Sequence, residues 1–355
     1  MKNKTGMRVA VFLAVILFGM VAWVRFMRND NAAYIRKYHD ERMVIGTLVQ
    51  IDVCALPYRR DVVRKAMAEV WQRFEEIDER MNAYDSGSEV GRINEANGAF
   101  VEVHEDLYAL IRQAVEMSHK TGGTFDITVR PLIDLWNWME EEGRMPAENE
   151  VLAAKTRVGI EKIRFVEHNG VAIACEGCAL DLGGIAKGYA VDEASRILRS
   201  HGFRNFLIDA GGDMYAAGKN AAGEPWRIGV RDPKDPDKIV DVILLSDQAV
   251  ATSGDYEQFY EIANERFSHI IDPATGYSQK GVVSATVVAP TAVEADVFST
   301  ALCIWGGDRG LAFIERQGVG YGAFMIMDEG GLERARTCAS EDYVRLRTEP
   351  SKKTE

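Results

Sequence analysis

The sequence lacks the features that would mark a nucleic-acid-binding protein or a repeat protein. In 355 residues with a formal net charge of -12, no basic run stands out, and there is no internal repeat or low-complexity tract. Binding to nucleic acid depends on clustered Lys and Arg that neutralise phosphates, so we do not expect it. With 47% hydrophobic residues, the chain can bury one large core or two modest ones.

Three familiar catalytic fingerprints are also missing. The chain has no GxxxxGK[ST] phosphate loop, no GxGxxG dinucleotide fingerprint and no GxSxG nucleophile elbow. A nicotinamide-dependent dehydrogenase is therefore disfavoured, and Ser253 has no sequence context that would make it a nucleophile.

Cysteine is scarce, and its spacing points to no complete metal site. Of five cysteines, Cys175 and Cys178 form one CEGC motif, and neither a second CxxC nor a suitable histidine pair completes a zinc site. The pair could be a redox site, a local disulfide outside the cytoplasm, or a coincidence. No cysteine precedes Cys54, so no lipid-attachment cysteine lies next to the N-terminal apolar run.

Residues 1–30 differ from the rest of the chain. An apolar run of 16 residues, Val9–Val24, has basic residues on both sides. It is long for a signal-peptide core and shorter than the span of about 20 residues that crosses a membrane comfortably. Because no convincing cleavage site follows, we expect an uncleaved membrane anchor, with a cleaved signal or a buried helix as the alternatives. Residues 31–345 would then form the catalytic domain and residues 346–355 a polar tail.

Apolar spacing predicts a mixture of helices and strands. The alternation is too irregular for a doubly wound parallel sheet. The predicted elements are a strand at Val44–Val53, helices at Val63–Met81 and Glu105–Thr121, a helix opened by Pro131, a hairpin at Arg164–Ala174 and a last strand at Tyr321–Met327. Trp136 and Trp138 are both predicted to lie in the core.

The stretch from Ala179 to Asp213 carries two glycine pairs around a predicted helix. Gly183 and Gly184 precede Lys187, and the helix start could offer free N–H groups to an anion. An ordinary tight turn with a solvated lysine explains the same residues.

Two further groups suggest chemistry. Asp296 and Thr300, spaced i and i+4 on a predicted helix with Ser299 nearby, present oxygen atoms that suit Mg²⁺, although a mid-helix Asp can simply bond its neighbours. His269 lies before an Asp-Pro-x-x-Gly turn, where it could project as a base or be a structural histidine.

Several segments, taken in order, resemble the FAD:protein FMN transferases of the ApbE family. They are RMVIGT, MNAYDSGSEVGRIN, TGGTFDITVRPLIDLWNW, ALDLGGIAKGYAVD with DAGGD, ATSGDY with SHIIDPATG, and VSATVVAPTAVEADVFSTAL. The resemblance covers roughly Arg42 to Arg345. It implies an α+β fold related to the tunnelling fold, with mostly antiparallel sheets, packed helices and a flavin site between two lobes.

The resemblance also implies a reaction. FAD would be cleaved at its pyrophosphate with Mg²⁺, FMN would be attached through a phosphoester to a threonine of an acceptor protein, and AMP would leave. Acceptors in the family belong to membrane redox complexes. From the apolar run Val9–Val24 we expect a bacterial inner-membrane location, with the catalytic domain on the periplasmic or extracellular side. A hydrolase that releases FMN and AMP, and a flavin-binding protein without chemistry, are the alternatives.

Residue roles follow from the same resemblance. His269 would be the catalytic base, and Asp296 would be both catalytic and a metal ligand. Metal ligands would come from Gly184, Asp296, Ser299 and Thr300. Contacts to FAD would come from Ile45, Asn82, Ala83, Tyr84, Asp126, Lys187, His269, Ile271 and Asp272.

Overall fold

An eight-stranded sheet forms the centre of the computed structural model, which describes residues 35–255, 258–328 and 336–348. Every neighbouring pair of its strands is antiparallel. Numbered along the chain and given in spatial order, the strands are β1 (Arg36–Val44), β2 (Thr47–Ala55), β6 (Phe206–Ala210), β7 (Asp213–Ala217), β10 (Gln248–Gly254), β13 (Val282–Ala289), β14 (Gly322–Met327) and β15 (Arg336–Ala339).

Three smaller antiparallel sheets complete the strands. One contains β3 (Val101–Glu102), β5 (Gly170–Ile173) and β4 (Ile163–Val166); a second contains β16 (Arg347–Thr348), β9 (Asp235–Leu245) and β8 (Trp226–Asp232); the third pairs β11 (Phe259–Ile262) with β12 (Glu265–Ser268).

Nine α-helices lie in the described ranges. They are α1 (Arg60–Met81), α2 (Glu89–Glu95), α3 (Glu105–Lys120), α4 (Arg130–Glu142), α5 (Glu148–Lys155), α6 (Ala186–Ser200), α7 (Ala292–Trp305), α8 (Gly307–Gln317) and α9 (Glu341–Leu346). Short 3₁₀ turns occur at Pro57–Arg59 and Ile160–Lys162.

Both faces of the large sheet are covered, because alternate residues of a strand point to opposite faces. Ala249 and Ala251 of β10 belong to the main core that the sheet shares with α1, α6 and α7. Val250, between them, belongs to a second core with Trp226 and Ile228 of β8. The sheet is therefore sandwiched between a helical layer and the β8–β9–β16 sheet.

A third apolar cluster forms a separate lobe. Trp136 of α4 packs against Tyr260 of β11 and Phe267 of β12, with ring centroids 5.6 Å apart in both pairs. The indole N–H of Trp136 donates to the carbonyl of Gly276 at 3.0 Å. This contact ties the helix to the turn that follows β12.

Helices α6 and α7 meet closely beside the large sheet. A Cβ on Gly188 would lie 2.6 Å from the carbonyl oxygen of Ala292, so only glycine allows this approach. Asp192 of α6 accepts from the backbone N–H groups of Ala292 and Val293 at 2.9 and 3.1 Å. These bonds satisfy donors that the first turn of α7 leaves unpaired, and they fix the position of α7.

The α+β class with antiparallel sheets is confirmed. The predicted hairpin is also confirmed, and His168 and Asn169 take positive φ values of 59° and 55° at its turn. Trp138 is not a core residue: it is 49% exposed, because positions two apart on a helix face different directions and Trp136 takes the inward one.

Other predicted element bounds need correction. The first predicted strand is the second half of a hairpin, since β1 precedes it and the turn falls at Ile45 and Gly46. β14 is not the last strand, because β15 and β16 follow, and β16 pairs with β9 in part of the predicted loose tail. Neither β15 nor β16 has the long alternation of apolar and polar residues that would predict a strand from the sequence. The domain boundaries stay predictions.

Cys175 and Cys178 form a disulfide in the loop after β5. The disulfide agrees with two of the alternatives that the CEGC motif left open, a local disulfide and a redox pair, because both form this bond. The predicted N-terminal anchor lies outside the described residues. Within those residues, no helix is both long enough and apolar enough to cross a membrane.

Candidate active site

A cleft with a cavity volume of about 1150 Å³ is lined by residues of the large sheet, its helices and the lobe of α4, β11 and β12. Pockets for drug-sized ligands measure about 300–1,000 Å³. The cleft therefore has room for a ligand as large as a dinucleotide.

Most of the predicted site residues line this cleft. They are Ile45, Asn82, Ala83, Tyr84, Asp126, Gly184, Lys187, His269, Ile271, Asp296 and Thr300. Asp272 and Ser299 are the exceptions. Residues more than 200 positions apart in the chain thus meet at one site.

One wall of the cleft is a cluster of oxygen atoms at the buried face of α7. Asp296 and Thr300 lie one turn apart there, and a Cβ on Gly184 would be 3.7 Å from Thr300 Oγ1. Ser253 Oγ lies 2.8 Å from Ser299 Oγ and 3.3 Å from Thr300 Oγ1. Ser299 is fully buried, so its hydroxyl supports the cluster from behind the cleft wall.

The charge of Asp296 is poorly compensated by the protein. Its carboxylate accepts from the N–H of Gly188 at 3.1 Å, and the residue is only 3% exposed. Burial, followed by repulsion from Asp213, raises the pKa of Asp296 to about 7. Asp213 is also buried and forms an ion pair with Lys187; burial raises the pKa of Asp213, although Lys187 opposes the rise.

These residues suit a cation that also has other ligands. In the described parts of the chain, no group of three or more His, Cys, Asp or Glu side chains could hold a metal. Mg²⁺, however, commonly takes one or two carboxylates and completes its shell with water and substrate phosphates. The single carboxylate of Asp296, with the hydroxyl of Thr300 and the backbone beside Gly184, fits that pattern.

His269 lies directly after β12 and lines the cleft. Its Nδ1 is 2.8 Å from the carbonyl oxygen of Gln258. A carbonyl can only accept, so Nδ1 carries the proton and Nε2 is left as an acceptor in the neutral ring. Burial lowers the pKa of His269, and nearby Lys187 adds to this effect, so the imidazole is neutral at pH 7.

Asp272 shapes the turn that follows His269. Its carboxylate accepts from the N–H of Ala274 at 2.9 Å, and its carbonyl accepts from that of Gly276 at 2.7 Å. The side chain is engaged in the turn and does not line the cleft. The geometry therefore supports a role for Asp272 in the turn, and its contact with FAD stays a prediction.

Ile45 enters the cleft from the β1–β2 turn in an unusual conformation. Its φ is 49°, a value that β-branched residues rarely adopt. The carboxylate of Asp78 in α1 accepts from the N–H of Ile45 at 3.2 Å and anchors the turn. Backbone strain of this kind collects at functional sites.

The segment after α1 forms another wall. The guanidinium of Arg130 lies 3.8 Å from the ring centroid of Tyr84 and donates to the carbonyl of Ala83 at 3.1 Å. The same guanidinium is 3.8 Å from Asp181. Arg130 thus links the wall to the loop that leads into Gly184.

Asp126 is held by its own loop. One carboxylate oxygen accepts from the N–H of Thr128 at 2.7 Å and from its hydroxyl at 2.6 Å. Burial raises the pKa of Asp126, and the bonds from Thr128 oppose the rise. Asp126 also lines the cleft, and within the described residues its second carboxylate oxygen accepts no hydrogen bond.

Four residues that the sequence reasoning did not assign belong to this site. Ser253 and Asp181 line the cleft, Asp213 holds Lys187, and Arg130 orders Tyr84. Asp181 and Asp213 stand inside the quoted glycine-rich segments, so proximity to those motifs could have singled them out.

The sequence model of the ApbE family matches residues 45–325. The chain belongs to the ApbE family. Three curated relatives named FAD:protein FMN transferase illustrate the similarity. The Salmonella typhimurium protein is 30% identical over 82% of this chain and 84% of its own length; the Vibrio cholerae protein is 33% identical over 82% and 88%; the Treponema pallidum protein is 31% identical over 88% and 90%.

Solved ApbE structures share the fold. The ApbE protein from Thermotoga maritima aligns with a TM-score of 0.79 and 33% identity over 88% of this chain and all of that one. The flavin transferase ApbE from Vibrio cholerae aligns with a TM-score of 0.76 and 29% identity over 88% and 99%. The ApbE fold expected from the sequence motifs is thereby confirmed.

Proposed function

We propose that this ApbE-family chain is an FAD:protein FMN transferase. It cleaves the pyrophosphate of FAD, attaches FMN by a phosphoester bond to a threonine hydroxyl of an acceptor protein, and releases AMP. The observation that carries the proposal is one cleft, large enough for a dinucleotide, that is lined by Asp296 and Thr300 as well as by His269, whose Nδ1 donates to Gln258 so that Nε2 is its acceptor nitrogen.

Different residues of the cleft have separate roles in the transfer of FMN. His269 Nε2 takes the proton of the threonine hydroxyl, whose oxygen bonds to the phosphorus on the FMN side as the bond from that phosphorus to the bridging oxygen breaks. Asp296, Thr300 and the backbone of Gly184 would hold Mg²⁺, with Ser299 behind them. Bound there, Mg²⁺ would offset the charge on the phosphates and on departing AMP. Ile45, Tyr84 and Asp126 line the space for the remainder of FAD.

Mass spectrometry tests this function. Full-length protein, FAD, Mg²⁺ and a threonine-containing acceptor are incubated together, and the acceptor should gain the mass of FMN less one water while AMP accumulates in equal amount. FMN and AMP formed without a modified acceptor would indicate the hydrolase. Binding of FAD without either product would indicate a flavin-binding protein.

We also propose that the catalytic domain lies outside the cytoplasm, anchored at the bacterial inner membrane by residues 1–30, and that its acceptors belong to membrane redox complexes. The Cys175–Cys178 disulfide supports an oxidising compartment. Protease added to spheroplasts should digest the domain. A domain protected until the membrane is lysed would contradict the placement.

A further inference from the structure

The cleft has an imbalance of charge that a pyrophosphate ligand would make worse. Its carboxylates come from Asp78, Asp126, Glu140, Asp181, Asp209 and Asp296. In the described parts of the chain, Lys187 and Arg231 supply its lysine and arginine side chains. Lys187 is already in an ion pair with buried Asp213, so much of its charge is offset within the protein.

Arg231 differs from Lys187 in its surroundings. Its side chain is exposed and lines the cleft, and its guanidinium makes no hydrogen bond or ion pair within residues 35–255, 258–328 and 336–348. The pairing of β8 with β9 is irregular on both sides of this residue, between Val230 and Arg231 and again between Arg231 and Asp232. Irregular strand pairing next to active sites commonly redirects a side chain, and here it accompanies an arginine that lines the cleft.

The neighbours of Arg231 place it near the Lys187–Asp213 pair. Asp209 lines the cleft, and its carboxylate accepts from the N–H of Gly212 at 2.9 Å. Burial and then Asp213 raise the pKa of Asp209, whereas Arg231 and Lys187 lower it. The carboxylate of Asp209 therefore interacts with Arg231, Lys187 and Asp213. Asp213 in turn repels Asp296.

We propose that Arg231 binds the pyrophosphate of FAD and so makes the cleft select a dinucleotide over an unphosphorylated flavin. The proposal rests on the transferase function stated above. A guanidinium offers several N–H donors in a fixed fork that matches phosphate oxygens, which an ammonium cannot reproduce. A ligand phosphate would supply the partner that the protein does not give to this side chain.

The test compares Arg231→Gln with Arg227→Gln in the full-length protein. Arg227 lies on the same strand and is exposed but does not line the cleft, so it is a matched control for loss of one positive charge.

Binding of FAD, ADP and riboflavin is measured by fluorescence or calorimetry. Loss of a charge-assisted hydrogen bond should weaken FAD and ADP binding by about 10-fold or more in Arg231→Gln. Riboflavin binding and the melting temperature should not change, and Arg231→Lys should recover only part of the loss.

Two outcomes would overturn the proposal. Equal losses of FAD and ADP affinity in the Arg227 and Arg231 variants would show that the effect comes from long-range charge and not from a contact between Arg231 and the pyrophosphate. Unchanged FAD and ADP binding, with a raised KM for the acceptor alone, would move Arg231 from the pyrophosphate to the acceptor. Because binding is measured without turnover, a wild-type protein that binds FAD but modifies no acceptor would refute the transferase and leave the result on Arg231 standing.

Discussion

Replacement of His269 by Ala separates catalysis from binding at this site. Within the described residues, the imidazole makes one hydrogen bond, from Nδ1 to the carbonyl of Gln258 at 2.8 Å, and His269 lines the cleft. Loss of a neutral hydrogen bond costs about 0.5–1.5 kcal/mol of folding free energy. Loss of a positioned base costs about 10²–10⁴-fold in rate, which is about 3–5 kcal/mol of transition-state stabilisation.

The pH dependence gives an independent measure. Burial and Lys187 lower the pKa of His269 below its ordinary value of 6.5. Its neutral form is the base, so wild-type transfer should fall as the pH drops through this lowered pKa, and the Ala variant should lack that acid limb. FAD affinity should stay nearly constant, because the base acts on the acceptor hydroxyl.

Two controls make the experiment decisive. His269→Asn places an amide N–H where Nδ1 stands and can still donate to the Gln258 carbonyl, but it cannot accept a proton at neutral pH, so it should be as slow as His269→Ala. His201→Ala removes a histidine that pairs with Glu69 and does not line the cleft, so transfer should be unaffected. Normal transfer by the His269 variants would refute the role of base. Weak FAD binding together with a low melting temperature would make His269 a structural residue.

Three further predictions follow from the structure. Asp296→Asn should raise the Mg²⁺ concentration needed for half-maximal transfer and lower the rate steeply, with little change in melting temperature because burial already disfavours the charge; full activity at wild-type Mg²⁺ would exclude Asp296 as a ligand. Ile45→Gly relieves the strain at φ 49° but removes apolar contacts with the main core, so the free energy of unfolding should change by less than about 1 kcal/mol while FAD binding weakens; unchanged FAD binding would contradict a role for Ile45 in the cleft. Cys175→Ser with Cys178→Ser should leave transfer nearly intact, because phosphoryl transfer needs no thiol; an inactive but folded double variant would contradict this.

Sequence patterns predicted those helices and turns whose residues favour, over a few positions, the same conformation that they have in the folded protein. The apolar stripe of α1 and the hairpin turn at His168 and Asn169 were readable because spacing and turn chemistry act over a few residues. β1 was not, because it is an edge strand whose exposed, charged side chains show no alternation. The sandwich arrangement depends on strand order across distant segments, which spacing alone does not contain.

The candidate site was predictable where chemistry follows from one helix or one turn. Asp296 and Thr300 are spaced i and i+4, so the sequence alone predicts that they share a helix face. Ser253 could not be assigned in the same way, because its contact with Thr300 depends on the packing of α7 against β10. The glycine-rich stretch shows the same limit: it left open an anion site beside Lys187 or a turn with a solvated lysine, whereas β7 brings the buried carboxylate of Asp213 to that lysine. A burial-dependent ion pair cannot be read from a motif, and because it offsets the charge of Lys187, recognition of an anionic ligand must draw on other groups of the cleft.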